Sequence, residues 1–182
     1  MRLRLFLCLS MLFLFVPLSA AAVQEPADLR VDGTPAKDAT DLIRRSAIIA
    51  AGNFDTHVQA YPTGRSVSAG RIVNYIQTFH VKKTMKGPAL QRIRVLSTGI
   101  DPLPDRSNPL NITYPGPLEE GPYLLFLKKV EGTDLYSITG LWQGVYPIWE
   151  GKTIALRGSG FSEFHGLTLS GVEQKLKRIS PR

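Results

Sequence analysis

Arg71-Ile72-Val73-Asn74-Tyr75-Ile76-Gln77-Thr78-Phe79-His80-Val81-Lys82-Lys83 is the stretch on which the fold turns. Val73, Tyr75, Phe79 and Val81 alternate with Asn74, Thr78, His80 and Lys82, the period of a strand with one covered and one wet face. Gln77 is the exception on the apolar face. A second run, Tyr123-Leu124-Leu125-Phe126-Leu127, is apolar without a break. That pattern belongs to a strand covered on both sides, and it predicts a central strand.

Working outward, further strand signals span Ala47 to Ala60, Leu90 to Ser97, Leu135 to Thr139, Gly144 to Trp149 and Thr153 to Arg157. Turns are expected at Pro62-Thr63-Gly64, Lys86-Gly87-Pro88, Glu131-Gly132-Thr133 and Glu150-Gly151-Lys152. No helix long enough for a parallel crossover lies between these strands, so a meander or small antiparallel barrel is expected. A short N-terminal helix, capped by Asp38 or Thr40, buries Leu42 and Ile43. A C-terminal amphipathic helix begins near Ser170, where Ser170 and Glu173 have capping-box spacing and Val172, Leu176 and Ile179 share a face. Gly99 to Gly121 is a long proline-rich irregular stretch, the kind of loop that is either functional or mobile.

Two arginines in Met1 to Arg4, an apolar run from Leu5 to Leu18 and the small residues Ser19 to Ala22 make residues 1–22 a secretory signal peptide, cleaved near Ala21 or Ala22. The mature chain is therefore expected to be secreted, or periplasmic and in the cell envelope. Cys8 is the only cysteine, so cleavage leaves a chain without disulfides, thiolate metal ligands or a thiol nucleophile. Loss of Arg2 and Arg4 lowers the formal net charge from +7 to +5, and the domain stays basic. Residues 23–39 are polar and aperiodic and read as a flexible leader, with one folded domain over 40–180.

Three segments carry a resemblance: Phe79 to Gly87, Gly121-Pro122-Tyr123-Leu124-Leu125-Phe126-Leu127, and Gly140 to Ile148. Together they resemble a loose group of uncharacterised exported bacterial proteins with a glycine-led Y-L-L-F-L strand. These in turn are similar to OB-like barrels of the TIMP and netrin type. The resemblance implies a mainly β fold, a small OB-like barrel with a short N-terminal and a C-terminal helix. In the animal inhibitors an N-terminal cysteine chelates the protease zinc. The mature chain lacks that cysteine, so this mechanism is not implied.

Between Asp55 and Asp101 there is no acidic residue, while Arg65, Arg71, Lys82, Lys83, Lys86, Arg92 and Arg94 are all basic. Pairing of the second and third strands would place His80 and Lys82 on one wet face with Arg92 and Arg94 beside them. Such a face would bind an anionic envelope component, a lipid headgroup or polysaccharide, or a protein partner; the plain alternative is a solvated face that aids solubility. No base-reading motif is present, so sequence-specific nucleic-acid binding is not expected. In ITGLWQGVYPIWEG, residues 138–151, Tyr146 and Ile148 fit a core, and Trp142, beside Gln143 in a turn, is expected at the surface as part of a binding platform.

Enzymatic signatures are absent from the sequence: no G-x-S-x-G, H-E-x-x-H, P-loop or dinucleotide fingerprint occurs, and no cofactor is expected. His57, His80 and His165 are not at ligand spacing, so a metal-dependent or hydrolytic enzyme would need the fold to gather them. Asp101, Asp105, Asn108 and Asn111 offer calcium-type oxygens without the order of a calcium loop. The leading expectation is a non-enzymatic exported binding module. An enzyme assembled only in three dimensions and a structural cell-surface component are the alternatives.

Overall fold

The computed structural model describes residues 24–179. The expected signal peptide, its cleavage site and Cys8 lie outside them. The described residues form seven strands, each overlapping one of the expected runs: β1 Ile48–Val67, β2 Gly70–Lys86, β3 Arg92–Asp101, β4 Gly121–Lys129, β5 Tyr136–Ile138, β6 Val145–Trp149 and β7 Lys152–Thr153. They are mainly β, with helices α1 Ala39–Arg45, α2 Leu110–Thr113 and α3 Leu169–Ile179.

Pairing runs β1 to β2, β2 to β3, β3 to β5, β5 to β4, and from β4 back to β1, while β6 adds to β4 and β7 to β6. All of these ladders are antiparallel except β3 with β5, which is parallel through Val95–Tyr136 and Leu96–Ser137. The wholly antiparallel arrangement expected from the turns is corrected here for a geometric reason. Five strands that alternate in direction cannot return to the first without one parallel neighbour pair.

β4 shows why its sequence is unbroken. Leu124, Leu125, Phe126 and Leu127 all have no exposed surface. Leu125 and Leu127 point into the cluster formed with Ile48, Phe54, Phe79 and Ile93, whereas Leu124 and Phe126 face the layer built by Leu42, Phe164 and Leu176. In that second layer the Phe126 and Phe164 rings lie 5.0 Å apart and Tyr146 meets Phe164 edge-on at 5.4 Å. The buried Tyr146 hydroxyl accepts the Phe161 backbone N–H at 3.0 Å, and burial pushes its ionisation far above the ordinary range.

The alternation of β2 is interrupted for two identifiable reasons. On its expected wet face, Asn74 is fully buried, and Ile76 packs with Leu29, Leu96 and Leu135. Residues 24–37, expected as a flexible leader, cover that part of the face. Asn74 Nδ2 donates to the carbonyls of Pro26 and Leu29 at 2.8 and 2.9 Å, and its Oδ1 accepts from Thr98 at 2.7 Å. Further along, Arg45 donates to the carbonyls of Thr34 and Pro35, both at 2.9 Å, and Gln143 bonds both backbone groups of Ala36. Asp32 takes the Lys128 ammonium, which holds its carboxyl well below the usual range. A polar, aperiodic sequence docks here because its backbone groups find fixed side-chain partners.

Gln77, the polar residue on the covered face, is 3% exposed and clamps the backbone of Leu118: its Nε2 donates to the carbonyl and its Oε1 accepts the N–H, each at 2.8 Å. The long loop between β3 and β4 is thereby pinned to the core, with Leu118 seated in the interior cluster.

Other local expectations change. Pro62-Thr63-Gly64 is not a turn: β1 runs through it with an irregular register, and the chain reverses after Val67 instead. That end of β1 pairs only with β2, so a proline is tolerated on its free side. β7 stops at Thr153 rather than Arg157. α1 is capped by Asp38, whose side chain accepts the Asp41 N–H. In α3 the capping side chain is Thr168, which accepts the Gly171 N–H at 3.2 Å, and Glu173 turns to Lys83 at 2.9 Å instead of back to Ser170. The capping box is thus replaced by a bond to the sheet.

Replacing Gln77 by Leu would leave both backbone groups of Leu118 without partners in a dry site. The expected cost is about 1–3 kcal/mol in denaturant-induced unfolding.

Candidate functional site: the outward face of β2 and β3

The β2–β3 ladder sets His80 opposite Arg92 and Thr78 opposite Arg94. Directly paired residues share a face, so His80, Arg92 and Arg94 lie on one outward face, and Lys82 is exposed at the register shift of β2 just beyond His80. The leader covers the neighbouring part of that face, around Asn74 and Ile76, and leaves this end open.

Acids reach this face from elsewhere in the chain. β1 places Asn53 opposite His80, and two residues further on Asp55 Oδ2 meets His80 Nε2 at 2.8 Å. The same carboxylate accepts the His57 backbone N–H at 3.0 Å, and these two bonds, the His80 bond first, lower its pKa. Arg94 grips both oxygens of Asp134 at 3.0 and 2.8 Å, which likewise lowers the Asp134 carboxyl. Lys82 and Arg92 are exposed and make no ion pair among the described residues. The acid-free block is therefore partly neutralised in space. Arg71 meets Asp101 at 2.8 Å, Lys83 meets Glu173, and Lys86 donates to the Ile43 carbonyl at 2.6 Å. Asp55 and Asp134 were missed because a one-dimensional charge block says nothing about which residues a ladder brings across.

The other expected contributors do not join this face. Trp142 is half-buried, packs on the interior cluster and donates from Nε1 to the Asn111 carbonyl at 2.7 Å. Its expected exposure is corrected: the indole N–H finds a partner on α2, and Trp149, at the β6–β7 hairpin, is the exposed tryptophan at 70%. Of the histidines, His57 and His80 flank Asp55, whereas His165 accepts the Ala155 N–H at 3.2 Å. Among the described residues no three His, Cys, Asp or Glu side chains are grouped as a metal ion requires.

Asn108 and Asn111 of the β3–β4 loop bond the loop's own backbone, and Asp101 pairs with Arg71 of β2. Asn108 Oδ1 accepts the Leu110 N–H at 3.0 Å, and Asn111 Nδ2 donates to the Asp105 carbonyl at 2.8 Å. Gly158-Ser159-Gly160 forms a turn in which Ser159 and Gly160 N–H groups both bond the Leu156 carbonyl. What remains is an open face with two exposed cations, Lys82 and Arg92, that have no ion-pair partner among the described residues.

No family model matches the chain, and no curated protein or solved structure is significantly similar to it.

The chain holds two tryptophans, and their opposite environments are measurable. Acrylamide quenching is expected to act mainly on Trp149: Trp149→Phe should remove most of the readily quenched emission, and Trp142→Phe should leave it.

Proposed function

We propose that this chain is an exported, non-enzymatic binding module that holds an anionic component of the cell envelope or medium, a lipid headgroup or a polysaccharide, on the outward face of β2 and β3. The observation that carries this reading is the exposure, close together at the end of the β2–β3 ladder, of Lys82 and Arg92, neither of which has an ion-pair partner among the described residues. Lys82 and Arg92 are its charge centre, because Asp55 and Asp134 already engage His80 and Arg94. Export is supported by the arginine-led, apolar, alanine-terminated residues 1–22.

The scaffold proposed is a small OB-like barrel of the TIMP and netrin kind. It is supported by the circuit of β1, β2, β3, β5 and β4 with its one parallel pair. An OB-like barrel presents its second and third strands as a ligand face, which is where the unpaired cations lie. Because folds host many functions, the reading rests on the charged face rather than on the architecture.

The test is partitioning onto phosphatidylglycerol vesicles and retention on an immobilised sulfated polysaccharide, two arms that separate the two anion sources. A juxtaposed Lys or Arg contributes about 1 kcal/mol at an anionic surface, so Lys82→Gln with Arg92→Gln should weaken vesicle partitioning roughly thirty-fold. On the polysaccharide the double variant should elute at lower salt. Arg94→Gln should do less, since its charge is already met by Asp134. Unchanged binding of the folded double variant in both arms would overturn the proposal.

A further inference from the structure

A groove of about 820 Å³ opens between α3 and the turn that joins β2 to β3. Its volume lies within the range of small-molecule clefts. The floor is apolar: Met85 is half-buried, with Ile43, Ile49 and Leu176 behind it. The wall at the turn is fixed in place. Gly87 adopts φ +85°, and a Cβ there would lie 2.3 Å from the Ala47 carbonyl oxygen, so the turn is pressed against the start of β1.

The lip of this groove carries two cations and one carboxylate that is already engaged. Lys86 and Lys177 line it together with Glu173, but Glu173 is already paired with Lys83 at 2.9 Å. Lys86 Nζ donates to the Ile43 carbonyl at 2.6 Å and more distantly to that of Arg44 at 3.5 Å, the last carbonyls of α1. An ammonium has three donors, and carbonyls do not neutralise its charge. No carboxylate among the described residues pairs with Lys86, and its burial lowers its pKa. A partly desolvated cation above an apolar floor is complementary to a ligand that brings both a negative head and a hydrocarbon tail.

We propose that this groove is a binding site for a single-chain anionic amphiphile, a free fatty acid, with the acyl chain over Met85 and the carboxylate at Lys86 and Lys177. A bare anion would leave Met85 uncovered, and a zwitterionic head would bring a cation to a lip whose one carboxylate is taken. The site is separate from the open part of the β2–β3 face around His80 and Arg92: the register of β2 shifts between Val81 and Lys83, and beyond it Met85 packs in the layer beneath α1 and α3 while Lys83 bonds Glu173 of α3.

The experiment is calorimetric titration of the delipidated, folded protein with dodecanoate below its micellar concentration, with acetate and dodecyl maltoside as head-only and neutral-head controls. Saturable binding at one site is expected for dodecanoate, none for acetate, and at least tenfold weaker binding for the maltoside. Lys177→Glu, at an exposed position, and Lys86→Met should each weaken dodecanoate at least tenfold. Because Lys86 also bonds the end of α1, circular dichroism accompanies that variant, and Lys177→Glu decides if it unfolds. Lys82→Gln with Arg92→Gln should leave dodecanoate binding unchanged, whatever that variant does to vesicle or polysaccharide binding. Absence of saturable binding, equal binding of the neutral amphiphile, indifference to Lys177→Glu, or loss on the Lys82 and Arg92 changes would each overturn the proposal.

Discussion

Strand β4 is apolar on both faces because it is the partition between two cores. Leu125 and Leu127 complete the cluster inside the strand circuit, and Leu124 and Phe126 complete the layer beneath α1 and α3. Each of these four side chains is fully buried, and each such burial contributes about 1.5–3 kcal/mol. The backbone of β4 is committed as well, to β1 on one side and to β5 and β6 on the other. Displacing it would open both cores and three ladders together, so the position of every other element follows from it. The β1–β4 ladder also brings the circuit of strands back to its start.

Much of this was legible from periodicity. Tyr123 to Leu127 announced a strand buried on both sides, and the glycine turns at Gly87, Gly132 and Gly151, all at positive φ, separated the strands as expected. What periodicity could not convey was decided by partners distant in sequence. Asn74 reads as wet until residues 26–29 arrive to bond its amide, and Gln77 reads as an error in the pattern until Leu118 is seen between its two polar atoms. The leader reads as flexible because its anchors, Arg45, Asn74, Lys128 and Gln143, are side chains of other elements. In each case local composition set the polarity, and a tertiary hydrogen bond set the place.

The same division holds for the basic face. The ladder sets Arg92 opposite His80 and Arg94 opposite Thr78, whereas Lys82 falls at a register shift that alternation could not announce. The charge balance was not legible, because Asp55 and Asp134 arrive from β1 and from the turn before β5. The result narrows an extended cationic patch to Lys82 and Arg92, flanked by two neutralised pairs. Exposed pairs of this kind add little stability. Their effect is on where an anion finds uncompensated charge. The tryptophans were misjudged for a related reason: Trp142 has a backbone acceptor on α2 for its N–H, and Trp149 sits at the exposed end of β6.

The partition role of β4 is most directly tested by native-state hydrogen exchange. The amides of Leu124 to Leu127, together with those of Ile49 to Ala51 that face them in β1, should exchange only through global unfolding and at the slowest rates in the protein. The far end of β1, beyond Val58, and β7 should exchange faster through local opening. Rapid local exchange at Leu124 to Leu127 while β2 and β3 stay protected would contradict the account, since it would show that the two cores persist without the strand that divides them.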